Sequence, residues 1–468
     1  MKIEVLAPRT HGTARYGVHG RARRAGTVLR GHDIVCVSSL DWDVHWTSKQ
    51  QIMHRLSAAN RVLYVEEPVT LLAPFRVPER WSRWRALAPS LRREGPGLWV
   101  LTPPPVLPFG NLRPWINAFN QRLLAAYIRW AQRRLGFRDP LLWTYLPTSI
   151  SLLDHLPAGP LVYHCVDEHS AYAGFVSPEV VRAYDDALTV RADLVITTAE
   201  NLRASRAPLN PHTFHVPNAA DVLHFQRALD PDLEIPVDIA AVPRPRIGVI
   251  GVHDQRLDVA ALEAIATADP SWSVVLVGPV RHAEVDEARL RRLPNVYFLG
   301  GKPLAEVPGY LKAFDVALIP YTLTELSRNI FPLKLYEYLA GGVPVVSAAL
   351  PELSGFADTI HLATTPADYP GLVARALAED GPELRAARVA LAARNTWEER
   401  VETISELVES MLAAREATAS AATAGAGAAF APAAPAVAEP GAGAPGSPSA
   451  APLPAPPTGG GVPDEVRS

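Results

Sequence analysis

The stretch "NIFPLKLYEYLAGGVPVVSAALPEL", residues 329–353, decides the fold. Pro332 stands near the first turn of a short apolar helix, and Gly341 and Gly342 are expected to end that helix in a left-handed turn. The unbroken apolar run "VPVVSA" (343–348) that follows reads as a strand buried on both faces, as in a parallel sheet. "DVALIP" (315–320) upstream reads the same way, so strand, long loop and helix N-terminus follow in order. Open parallel sheets bind ligands at such junctions, outside the carboxyl ends of their strands. Backbone N–H groups from Asn329 to Leu333 are expected to be free there and to form a site for a diphosphate. Lys334 and Glu337 are i,i+3 neighbours on one helix face. The lysine is placed to balance phosphate charge, and the carboxylate's two oxygens suit the paired hydroxyls of a ribose. On local chemistry alone, a surface Lys–Glu pair on an ordinary αβ unit fits the same residues.

Outward from this stretch the alternation continues. "RIGVIG" (246–251), "SVVLVG" (273–278) and "NVYFLG" (295–300) precede it with helical stretches between them. A first block holds "DIVCVSS" (33–39), "RVLYVEE" (61–67), "GLWVLT" (97–102), "LLWTY" (141–145), "LVYHCVDE" (161–168) and "DLVITT" (193–198). Ser177 and Pro178 open one of its helices. A proline-rich connection separates the blocks, and Thr396 with Glu399 forms a capping box for a last amphipathic helix. At 468 residues two domains are expected. The predicted organisation is a basic disordered extension (1–30), an N-terminal Rossmann-like domain (31–216), a linker (217–245), a second Rossmann-like domain (246–395), a helix (396–415) and a disordered Ala/Pro/Gly-rich tail (416–468).

Composition narrows the function. No run of 18 or more apolar residues is present, so no membrane-spanning helix is expected, and the arginine-rich start lacks the apolar core of a signal peptide. Cys36 and Cys165 sit in strand-like runs and read as buried thiols of a reducing, cytoplasmic compartment. Residues 1–206 carry 26 Lys and Arg against 17 Asp and Glu, whereas the whole chain has a net charge of −3. The first half therefore suits an anionic partner, and basic, tryptophan-bearing segments at 74–94 and 112–134 point to peripheral contact with an anionic membrane on its inner face. An ordinary solvated helix face fits those segments as well. Nucleic acid is a poor match for a slightly acidic chain. No Cys/His cluster suggests a metal, and "GVIG" (248–251) lacks the glycine pattern of a nicotinamide enzyme.

"FPLKLYEYLAGGVPVVSA" resembles the donor-binding motif of GT-B glycosyltransferases of the large retaining group. "VPNAADVLHF" (216–225) is similar to their interdomain element, through Asn218, Asp221 and Phe225. "HWTSKQQIMHRLSAANRVLYVEEP", "PPPVLPFG", "LVYHCVDE" and "IGVIGVHDQRLDVAALEAIA" resemble members that build cell-surface polysaccharides of the teichuronic-acid type. Together these pieces span roughly residues 33–410 in the family's order. The resemblance implies two doubly wound Rossmann-like domains facing a cleft, and transfer of a sugar from a nucleoside diphosphate to a glycan or polyprenyl-linked acceptor. It implies no cofactor and no metal, since protein cations replace one, and in retaining members the leaving phosphate takes the acceptor proton.

Carried over residue by residue, Glu337 matches the glutamate that binds the donor ribose and Lys334 the motif lysine. Arg256 lies where a basic residue approaches the diphosphate, although the usual spacing is absent. Gly251 ends the strand beside that loop and completes the donor-binding set with Asn329. At Asn329 many members carry a glutamate, so the charge it supplies is missing here; Glu325 is a candidate to replace it, and an ordinary surface glutamate fits as well. Asp167, at the end of an N-domain strand, is expected in the cleft against the donor sugar or the acceptor, as a catalytic residue with Lys334 and Arg256; a loop or capping role is the alternative. Trp42, His45 and Trp46 are expected to form an aromatic acceptor platform or, equally, to pack beneath their loop. Two other functions share the nucleotide site: a nucleotide-sugar 2-epimerase, and a non-catalytic nucleotide-sugar-binding protein.

Overall fold

Apolar runs bounded by polar loops become the strands of two parallel sheets in the computed structural model. It describes residues 29–44, 46–72, 88–172 and 177–428, with no side chains beyond 420. The first sheet contains β1 (Asp33–Val37), β2 (Arg61–Val65), β3 (Ser90–Gly95), β4 (Leu98–Thr102), β5 (Leu141–Thr144), β6 (Leu161–Cys165), β7 (Leu194–Thr197) and β8 (Thr213–His215). Their order is β3-β4-β2-β1-β5-β6-β7-β8, and only β3 runs antiparallel, against β4. The second contains β9 (Arg246–Ile250), β10 (Ser273–Val277), β11 (Val296–Gly300), β12 (Val316–Ile319), β13 (Val345–Ala348) and β14 (His361–Ala363), in the order β11-β10-β9-β12-β13-β14 and parallel throughout. Both belong to one compact unit that ends at Arg415.

Strand periodicity of two sends alternate residues to opposite faces, and both faces are covered. Ile34 and Cys36 of β1 join one apolar cluster of the first sheet, Val35 and Val37 the other. The second sheet is clad in the same way. Each sheet reverses its winding once, between β1 and β5 and between β9 and β12. Those two points are where ligand crevices open in such folds.

The structure differs from the sequence expectations in four places. β3, "SLRREG", has no buried residue and therefore no apolar alternation to announce it. The 217–245 connection is not bare linker: it holds helices Val222–Gln226 and Val237–Ala240, and Phe225, Ile239 and Val242 are buried in the second-sheet core. Gly342 is left-handed (φ 73°), but Gly341 is right-handed and is needed for room, since a Cβ there would lie 2.5 Å from Leu311 Cδ2. The last helix runs from Trp397 to Ala428, beyond the expected end near 415, because the alanine-rich continuation meets no proline before Pro432.

That helix also shows where its apolar stripe belongs. Trp397, Val401, Ile404, Val408 and Met411 recur at spacings of three and four and pack into the first-sheet core beside Ile34 and Trp143. The Thr396 hydroxyl accepts the Glu399 N–H at 3.2 Å, and Arg55 pairs with Glu398 at 2.8 Å. The chain thus returns from the second sheet to the first. The Ser177 cap is present too, accepting from the Val180 N–H at 3.4 Å. The basic extension, but for its last two residues, and the tail beyond Ala428 lie outside the described residues.

Candidate active site

β9 and β12 lie side by side at the second sheet's winding reversal, and the loops that leave their carboxyl ends carry most of the candidate residues. After β9 the chain turns at Gly251 with φ 123°, a conformation that side chains other than glycine rarely adopt. A Cβ at Gly251 would stand 2.7 Å from Lys334 Cε and 3.2 Å from its Nζ. The glycine is therefore what lets Lys334 lie across the loop. After β12 comes Tyr321, and its ring joins the two cations: Lys334 Nζ is 5.3 Å from the ring centroid and Arg256 Cζ 5.5 Å. Arg256 is held by Asp254, with Nε to Oδ1 at 2.8 Å and Nη2 to Oδ2 at 2.5 Å. This fork fixes the guanidinium plane and depresses the Asp254 pKa, against the burial that would raise it. No ion pair engages Lys334 among the described residues.

Glu337 is one turn beyond Lys334 on the helix Lys334–Ala340. Its carboxylate is half-buried and makes no hydrogen bond within the described residues. Burial pushes its pKa up to about 7, with Lys334 opposing the shift. An acceptor without donors, in a partly dry site, is prepared for hydroxyl groups from outside. His253 is fully buried beside Lys334 with neither ring nitrogen bonded, and burial holds its pKa down at about 3, so it is neutral. The Tyr338 hydroxyl accepts the Ile250 N–H at 2.8 Å and locks this helix to β9.

The loop between Tyr321 and Lys334 does not match the expected row of free amides. The Asn329 N–H donates to the Leu326 carbonyl at 3.2 Å and the Ile330 N–H to that of Ser327 at 3.3 Å, closing the short helix Glu325–Arg328. The Asn329 side chain donates to the Glu325 carbonyl at 2.7 Å. Asn329 and Glu325 line a surface hollow with Asn201 and Arg328. Two of the four backbone N–H groups from Asn329 to Leu333 are therefore engaged locally.

The first half contributes from β6. Asp167 follows that strand and lies against the Tyr172 hydroxyl, which with burial drives the phenol pKa upward, while Arg256 from the second half pulls it down. Asp167 and Arg256 are thus brought to the same locality through Tyr172. Trp42 takes the packing alternative: it is 5% exposed, its ring 5.0 Å from Tyr64 and 5.2 Å from the partly buried Trp46, and it belongs to the first-sheet core. Packing beneath the loop wins because its indole fills the space over Tyr64. His45 lies outside the described residues. Tyr321, Asp254 and Tyr172 escaped sequence reasoning. The acid two residues before Arg256 was the available signal for the first fork. Among the described residues no group of three or more His, Cys, Asp or Glu could hold a metal ion, and no helix is long and apolar enough to cross a membrane.

The halves touch around this cleft. Asn218 Nδ2 donates to the Phe331 carbonyl at 2.9 Å, Asn201 Nδ2 to that of Arg328 at 2.9 Å, and the Glu200 N–H to Glu352 Oε1 at 2.6 Å.

Comparison with known proteins falls on the same region. Residues 244–379 match the family Glycosyl transferases group 1. TuaH of Bacillus subtilis, assigned as a teichuronic acid biosynthesis glycosyltransferase, is 38% identical over 109 residues, 23% of this chain and 28% of TuaH. The match therefore spans little more than a quarter of that relative's length. Sucrose-phosphate synthase from Thermosynechococcus elongatus superposes with a TM-score of 0.62 at 18% identity, over 82% of this chain and 100% of that one. HepE of Anabaena, solved with UDP-glucose, gives 0.57 at 16% identity over 81% and 100%. The trehalose 6-phosphate synthase of Burkholderia multivorans gives 0.60 at 13% over 82% and 100%. The shared fold is GT-B: two Rossmann-like halves.

Proposed function

From a glycosyl transferases group 1 domain at residues 244–379, set in a GT-B fold, we propose a glycosyltransferase that takes a sugar from a nucleoside diphosphate. The observation that carries this is the pairing, at the winding reversal of β9 and β12, of an unpaired lysine with an unbonded half-buried carboxylate. Glu337 would accept the ribose hydroxyls, and Lys334 and Arg256 would face the diphosphate. As the bond from the anomeric carbon to the phosphate oxygen breaks, negative charge grows on the departing diphosphate. Two fixed cations beside one aromatic ring stabilise that charge without reorganising. No metal is required for it in this proposal. The acceptor hydroxyl bonds to the anomeric carbon, and its proton leaves with the phosphate. Transfer on the face vacated by the phosphate retains the anomeric configuration. Asp167, held beside Tyr172, would contact the sugar from the opposite half.

The acceptor proposed is a glycan, including a lipid-linked one, and the pathway cell-surface polysaccharide synthesis. TuaH motivates the pathway and HepE the donor class. A membrane surface is supported by the helix Pro114–Leu135, where Trp115 (68% exposed) and Phe119 (53%) stand one turn apart beside Arg113 and Arg122. An expected thermal shift with nucleoside diphosphates, followed by sugar transfer to a cell-envelope extract, tests the activity. Conversion of a donor sugar to its 2-epimer without acceptor would instead identify an isomerase.

A further inference from the structure

The first sheet has a winding reversal of its own, between β1 and β5, and a buried lysine stands over it. Lys49 lies in the first turn of the helix Ser48–Leu56 and is 6% exposed. Its ammonium makes no hydrogen bond or ion pair among the described residues. The contact shown is with the face of Tyr145, whose ring centroid is 5.5 Å away. Tyr145, just past β5, stacks on His164 of β6 with ring centroids 4.9 Å apart and planes at 27°. Neither the Tyr145 hydroxyl nor either His164 nitrogen has a hydrogen-bond partner, and both residues are buried.

This arrangement costs stability. A buried ammonium without a bonded partner loses hydration that the aromatic face only partly replaces. Burial lowers its pKa, and the carboxylates of Asp167 and Glu67 oppose that shift from longer range. Neither occupies its N–H donors. His164 is held neutral by burial with its pKa down at about 3, and Lys49 adds to that shift. The result is a buried lysine whose terminal nitrogen has no bonded partner, with a neutral ring beside it, on the half that faces Lys334 and Arg256 across the cleft.

We propose that Lys49 anchors an acidic group of the acceptor, a carboxylate or phosphate, at the winding reversal of the first sheet. The proposal rests on the glycosyltransferase reading and adds to it the charge of the acceptor. The bound oxyanion supplies the partner that the ammonium lacks. Donor diphosphate is served by Lys334 and Arg256 in the other half, so Lys49 contributes to acceptor recognition and not to nucleotide affinity.

The experiment uses the full chain saturated with UDP and three probes: glucuronate, glucose 6-phosphate and glucose. UDP is titrated first by calorimetry. Should UDP not bind, GDP, ADP and dTDP are titrated in turn and the one that binds replaces it; failure of all four defeats the glycosyltransferase reading itself, whatever Lys49 does. With UDP bound, at least one acidic probe should bind more tightly than glucose, and which one distinguishes carboxylate from phosphate. Lys49→Met should remove that preference, weakening the acidic probe roughly 10- to 150-fold, the range for hydrogen bonds to charged groups, while UDP affinity stays unchanged. Lys49→Arg, which keeps the charge, should retain part of the preference. Melting temperature supplies an independent readout, because a lysine kept for binding alone should give a more stable protein when replaced by methionine. Equal binding of all three probes to wild type, an unchanged preference in Lys49→Met, or a loss of UDP affinity in that variant would each overturn the assignment.

Discussion

Lowering the pH from 8 to 5 should switch off nucleoside binding through one residue, Glu337. Its carboxyl titrates near 7 because burial disfavours the charge. Only the ionised form offers both oxygens to the ribose hydroxyls. At pH 8 about nine-tenths of it is ionised, and at pH 5 about one-hundredth, so affinity should fall roughly 100-fold, or about 2.7 kcal/mol. The neighbours are silent over this range. His253 has its pKa near 3 and the pKa of Asp254 is lowered by Arg256. Calorimetry with uridine reads the effect cleanly, because a nucleoside carries no titrating phosphate. Glu337→Gln should bind uridine weakly and without pH dependence. The sign for stability is opposite to the usual carboxylate. A folded pKa above the unfolded 4.5 favours the acid form, so the ligand-free protein loses stability as pH rises from about 4.5 to 7, by at most about 3.4 kcal/mol. Uridine affinity that is flat in wild type between pH 5 and 8 would refute the assignment of Glu337 to the ribose.

Further consequences separate the neighbouring groups. Lys334→Ala should leave uridine binding unchanged but weaken UDP roughly 10-fold or more and lower kcat, since charge grows on the phosphate in the transition state; steady-state kinetics beside calorimetry checks this. Gly251→Ala places a Cβ 2.7 Å from Lys334 Cε at φ 123°, so UDP affinity should fall with little change in uridine affinity. Replacing Trp115 and Phe119 by alanine should weaken sedimentation with anionic vesicles and leave sugar transfer to a soluble acceptor intact; equal sedimentation would reduce that face to solvated surface.

The fold was legible because its strands are buried on both faces, which writes them as unbroken apolar runs such as "VALI" and "VVSA". The edge strand β3 was not, because none of its residues is fully buried and only Leu91 packs against the core, which leaves no apolar run to read. Lys334 and Glu337 were legible as an i,i+3 pair beside a strand end. Their partners were not, since Tyr321 meets Lys334 and Arg256 only after β9 and β12 come together across 65 residues of chain. Trp42 shows the opposite limit. An aromatic in a loop reads equally as platform or packing, and only Tyr64 beneath it decides for packing. Asn329 was matched by sequence distance from Glu337, which could not show that its amide groups bond locally to Leu326 and Glu325. Lys49 gave no signal at all, because a lysine at a helix start is ordinary until its burial is known.

In the proposed reaction protein cations, chiefly Lys334 and Arg256, drive sugar transfer from a nucleoside diphosphate. The most direct measurement follows a UDP-sugar with a labelled sugar into cell-envelope acceptor, with and without excess EDTA, for wild type and Lys334→Ala. Transfer that survives EDTA in wild type and falls sharply in Lys334→Ala is the predicted result. Loss of transfer with EDTA that Mg²⁺ or Mn²⁺ restores, or undiminished transfer in Lys334→Ala, would contradict it.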